Sequence, residues 1–127
     1  MGMKTTVVEQ FGVPVAVLES EVPVIFDVQS ALDMIMTVQY DTGCTRVACN
    51  KEALAAEFFM LRTGLAGEVL QKFIIYQTKF AVYGDFSDYT RDSKALRDFI
   101  YESNNGKSVF FTATCEEAVE RLAQAKE

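Results

Sequence analysis

Three short runs constrain the fold of this chain more than any other feature: Arg46-Val47-Ala48-Cys49, Phe80-Ala81-Val82-Tyr83 and Val109-Phe110-Phe111. Each reads as a short, continuously apolar strand, the pattern expected where helices cover both faces of a sheet. Segments long enough to cross over separate them. Two β-branched runs, 4–10 and 13–20, come first and join at Phe11-Gly12, which predicts a hairpin. Pro14 lacks a ladder donor, so its strand is expected at an edge or to start late. The predicted order is β-β-α-β-α-β-α-β-α, with right-handed βαβ units after the hairpin. That makes an α/β fold, a mixed sheet with mostly parallel later strands flanked by helices.

The helices follow from period and caps. Asp27 is a candidate N-cap, Val28, Ala31, Leu32, Ile35 and Val38 share one face, and Asp41-Thr42-Gly43 ends the helix. Residues 51–62 read as a short helix or a structured loop. A helix over 63–77, capped by Thr63, buries Ala66, Val69, Leu70, Phe73 and Gln77, with Ile74 beside them. Gly64 and Gly67 lie within it, each unfavourable by about 1 kcal/mol against Ala, and close helix–sheet packing is the expected reason for Gly67. A helix over 93–103 starts at Asp92 or Ser93, turns Leu96, Phe99, Ile100 and Ser103 inward, and ends near Gly106 with positive φ. Thr114 and Glu117 form a capping-box pair at the last helix.

Composition removes whole classes of chemistry. The length of 127 residues predicts a single domain, 1–127. No run approaches the roughly 18 apolar residues of a membrane span, and no secretory pattern is visible. Met1-Gly2-Met3 reads as a cloning scar, or loosely as a myristoylation start. Lys and Arg number 12 against 18 acidic residues, net −6, which counts against nucleic acid and anionic membranes. Three cysteines without a CxxC fit a reducing cytoplasmic setting. The absence of histidine removes His-based triads, His-dependent zinc sites and the usual neutral-pH base. No cofactor is expected.

Ala81-Val82-Tyr83-Gly84-Asp85-Phe86-Ser87, with Ser93 to Asn104, resembles the signature of an uncharacterised bacterial family known only as a domain of unknown function. Residues 58–73 and 27–41 are similar to the same family. The element order also resembles STAS domains, the fold of anti-sigma-factor antagonists. That likeness implies a phosphorylatable residue followed by Gly-Leu at a helix start, here Thr63-Gly64-Leu65. The insertion 51–62, and Arg62 where an acidic residue would precede, depart from that pattern.

Parallel strands place their carboxyl-end loops along one edge, where ligands of open α/β sheets bind. Lys51, Asp85 and Ser87 belong to those loops, and Arg62, Thr63 and Gly64 open a nearby helix suited to an anion or to phosphothreonine. Asp85 reads as a general base, a metal ligand or a loop-forming Asx residue. The spacing of Asp85, Asp88 and Asp92 lacks a calcium-loop pattern, and no metal is expected. Lys94, Arg97 and Tyr101 mark an outer helix face as a contact surface for a protein partner or a second copy. Lys94 can pair with Asp98, and Arg97 can stack on Tyr101. Cys115 reads as an inert buried thiol. These readings favour a non-enzymatic interaction or regulatory module. The alternative is a binder of a small anionic ligand at the carboxyl edge, using Lys51 and Arg62. The third is an enzyme using Asp85 with Lys94 or Arg97.

Overall fold

The structure, a computed structural model, describes residues 3–126. The Met1-Gly2 reading lies outside them. The elements are β1 (Met3–Gln10), β2 (Val13–Ser20), α1 (Val28–Thr42), β3 (Arg46–Asn50), α2 (Leu65–Ile75), β4 (Lys79–Tyr83), α3 (Ser87–Thr90), α4 (Lys94–Asn104), β5 (Val109–Thr112) and α5 (Cys115–Gln124). No described helix is long and apolar enough to cross a membrane.

The sheet runs β1-β2-β3-β4-β5, in sequence order. β1 and β2 are antiparallel and the remaining neighbours parallel, as the alternation of elements predicts. Each right-handed crossover advances the sheet in the same direction, so successive crossover helices fall on one face. Ala31 and Ile35 of α1, Val69 and Phe73 of α2 and Leu96 of α4 pack there on Leu18, Val47, Phe80 and Val82. The last helix, α5, covers the opposite face, setting Ala118, Val119 and Leu122 on Val15, Val17, Ala48, Ala81 and Phe110.

Local chemistry fixes the helix starts. Asp27 accepts the Ser30 N–H at 2.8 Å, and the Ser30 hydroxyl accepts the Asp27 N–H in return. Ser93 caps α4 through the Leu96 N–H, and Thr114 with Glu117 forms the predicted box on α5. The hairpin turns on Phe11 and Gly12, both at positive φ (56° and 75°), the backbone of a type I′ turn.

Several sequence expectations are corrected. Pro14 is not in an edge strand: β2 is second in the sheet. However, β3 pairs only with Ala16–Leu18, so the missing N–H of Pro14 removes no bond to β3. α2 starts at Leu65, and its N-cap is Gly64 at φ 79°, not Thr63. Gln77 lies past the helix at φ 54°. A Cβ at Gly67 would meet nothing within 4 Å, so close packing is not its reason; it borders an open groove between α2 and α4. Gly106 is not at positive φ, and α4 ends at Asn105 in right-handed geometry. Residues 51–63 form three 3₁₀ turns, Lys51–Ala53, Ala56–Phe59 and Leu61–Thr63. Nor is the β3 run continuously apolar: Arg46 is buried and donates to the carbonyls of Leu122 and Ala125 (2.9 Å to the latter) at the carboxyl end of α5. A cation there complements the helix dipole.

Candidate functional site

The register Asn50↔Tyr83 and Tyr83↔Thr112 brings the three carboxyl-end loops together along one edge. Gly84 sits there at φ 146°, and the Lys51 stem lies across it: a Cβ would stand 3.1 Å from Lys51 Cγ. The Lys51 ammonium donates to the Asp85 carbonyl and lies 5.9 Å from the centre of the Tyr89 ring. The Asp85 carboxylate accepts the Ser87 N–H at 2.9 Å. It therefore closes an Asx-type turn on its own chain. The Ser87 N–H above all, then the Ser87 hydroxyl and the charges of Lys51 and Arg91, hold its carboxyl below the usual aspartate range. Lys51, Asp85 and Ser87 are thus brought together.

Arg62, Thr63 and Gly64 are exposed at the joint before α2. The Thr63 hydroxyl lies 2.9 and 2.8 Å from the carbonyls of Glu57 and Met60 and accepts the Leu65 N–H. Among the described residues no hydrogen bond links Arg62 or Thr63 to Lys51 or Asp85. Aromatic side chains join these segments instead. Phe59 stacks on Tyr89 at 4.4 Å and meets Phe86 at 5.8 Å, and Phe86 meets Phe111 at 5.7 Å. This packing explains why the 51–63 insertion is ordered. The strand order also never reverses, so the edge lacks the switch-point crevice in which α/β sheets hold ligands.

On α4, Lys94 pairs with Asp98 at 2.8 Å. The Arg97 guanidinium reaches back to the Thr90 carbonyl at 2.6 Å, which corrects the expected stacking on Tyr101. Tyr101 is 71% exposed. Cys115 is half-buried rather than buried. Desolvation, with Glu19 and Glu116, raises its pKa against a contact with Tyr83 that lowers it. Burial, and its 2.7 Å bond to Glu19, push the Tyr83 phenol well above its usual range. Among the described residues no group of three or more His, Cys, Asp or Glu side chains is placed to hold a metal ion.

A family model described as a domain of unknown function (DUF4180) matches residues 10–122. The chain belongs to the DUF4180 family. The stretch Ala81–Ser87 and the helix up to Asn104 lie within the matched span. Neither a curated protein nor a solved structure matches the chain. The match to DUF4180 starts at Gln10, leaving Met3–Glu9 of β1 outside it.

That strand borders a feature not anticipated from the sequence. Every residue from Met3 to Glu9 is exposed, with Met3 at 49% and Val7 at 48%. Between β1 and α1 lies a groove of about 530 Å³, with the buried side chains of Leu18, Met34 and Val38 at its floor. Met3 and Thr5 line its β1 side; the exposed Asp33, Thr37 and Asp41 line its α1 side. No Lys or Arg is among the described residues lining it. A two-residue turn closes on a hydrogen-bonded pair, here Gln10–Val13. Alternation along the ladder then directs the backbone of Thr5, Val7 and Glu9 away from β2, on the outer edge of the sheet. The row of Asp33, Thr37 and Asp41 was readable as a four-residue repeat. Its position beside an edge strand required the sheet order.

Proposed function

We propose that the protein is a non-enzymatic cytosolic interaction module whose contact surface is the outer edge of β1 with the groove beside it. The observation that carries this reading is the edge strand itself: eight residues, paired to β2 without a break and exposed on both faces. Edge strands are ordinarily blunted by charged side chains, proline, a bulge or a covering element, because their unpaired backbone groups recruit other strands. β1 contains no proline, its register has no bulge, and its two charges, Lys4 and Glu9, stand near its ends and leave Thr5–Val8 uncharged. An extended partner segment adds to such an edge through main-chain hydrogen bonds and gains specificity from side-chain pockets.

The chemistry at the carboxyl edge supports a non-enzymatic role. The Asp85 carboxylate already accepts a backbone bond and is held ionised, which suits a turn better than a base working near neutrality. Lys51 is bonded to the Asp85 carbonyl rather than directed at open space.

Photo-crosslinking in cells tests the reading, with benzoylphenylalanine replacing Val7 in one variant and Tyr101 in another. We expect a discrete adduct at position 7 and none at 101. Thr5→Pro should abolish the adduct while circular dichroism stays native, since proline is tolerated where the N–H faces away from the sheet. Absence of an adduct at position 7, or one indifferent to Thr5→Pro, would sink the proposal.

A further inference from the structure

We infer that the segment recognised by the β1 edge is a basic strand, carrying Lys or Arg at positions i and i+4 on one face and an apolar residue at i+2 between them. This rests on the reading of β1 as an interaction edge and adds the chemistry of the partner.

The argument is one of spacing and charge. Asp33, Thr37 and Asp41 recur every four positions, so they form one line along α1 beside the groove. Each helical step of four residues rises about 6 Å. Alternate residues of a strand are about 6.7 Å apart. A strand laid along β1 therefore keeps pace with that line over three side chains on the α1 face. Its first and third meet Asp33 and Asp41. Its middle one packs beside Thr5 of β1, which itself lines the groove.

The described lining offers two carboxylates and no cation, and the whole chain carries net charge −6. A basic segment complements both the local and the global field. A second copy of this chain fits less well. A two-fold antiparallel β1 pairing keeps corresponding faces on one side, so it places the Asp33–Asp41 rows of both copies over the same face. The β1 side chains it would bring to that face, Met3, Thr5, Val7 and Glu9, include no cation for Asp33 or Asp41.

The test uses the full chain and a fluorescein-labelled peptide, Thr-Lys-Thr-Val-Thr-Lys-Thr, followed by anisotropy. Binding should be saturable. The Asp33→Asn/Asp41→Asn double variant should weaken it by about fivefold, the effect of losing two exposed charge pairs. Glu116→Gln/Glu120→Gln removes the same charge from α5, on the opposite face of the sheet, and should leave affinity unchanged. Replacing both peptide lysines by glutamates, or N-methylating alternate backbone amides on one edge, should abolish binding.

Equal weakening by the two double variants would overturn the inference, as it would reduce the attraction to net charge. So would binding that survives N-methylation. Failure of the lysine peptide alongside a persistent position-7 adduct would refute the basic partner and leave the interaction reading standing. Loss of both would refute both. An adduct of twice the chain mass, with sedimentation showing a dimer, would replace the basic partner with a second copy.

Discussion

Asp85 shows how a side chain that looks reactive in sequence can close its own turn in space. It follows a buried strand at the edge where α/β sheets do chemistry, yet its carboxylate holds the Ser87 N–H and its carbonyl holds Lys51. Its folded pKa lies below the unfolded value of about 4. The stability it contributes is therefore fully present above about pH 4 and is lost as pH falls through the lower folded value. A carbon-13 NMR titration should place the Asp85 midpoint below the ordinary aspartate range. Ser87→Ala, which removes the hydroxyl that assists the backbone donor, should raise it part of the way. An unmoved midpoint would mean that the hydroxyl takes no part in holding the carboxylate. Gly84 gives a second prediction. At φ 146°, with the Lys51 stem across it, Gly84→Ala combines backbone strain with a side-chain collision. We expect a loss of about 1–3 kcal/mol by urea unfolding; an unchanged midpoint would show that the loop relaxes freely.

At the scale of elements, legibility tracked the range of the interaction. The caps at Asp27, Ser93 and Thr114 were readable because donor and acceptor lie within three residues of each other. Thr114→Ala should accordingly destabilise the protein by about 1 kcal/mol in chemical denaturation while Thr114→Ser stays near neutral. If both were neutral, the box would be ornamental to α5. Where the partner is distant, the sequence was mute. Arg46 was read as part of a continuously apolar strand because its acceptors, at Leu122 and Ala125, lie far along the chain. The 51–62 insertion stayed ambiguous because the aromatic contacts that order it come from Phe86 and Tyr89. Thr63 resembled an ordinary N-cap, but the left-handed Gly64 begins the helix one residue later. The carboxyl-edge cluster of Lys51, Asp85 and Ser87 was legible as a neighbourhood, because parallel order alone implies it. That Asp85 closes its own turn was one of three readings open in the sequence, and choosing it depends on backbone angles.

For the whole molecule, the decisive property is a sheet whose spatial order equals its sequence order. Without a reversal there is no crevice between oppositely directed halves, and β1, at the flank, has a neighbour on one side only. The same order has a consequence for biosynthesis. A nascent chain can add each strand to the one already in place, and α1, α2 and α4 can cover their face as they emerge. The other face waits for α5. Until α5 leaves the ribosome, Val15, Val17, Ala48, Ala81 and Phe110 have no helix over them. Synthesis at about 5–20 residues per second makes that exposure brief in an uninterrupted chain. A ribosome stalled before Cys115 would instead display a nearly finished sheet with one greasy side bare, a natural client for a chaperone at the exit tunnel.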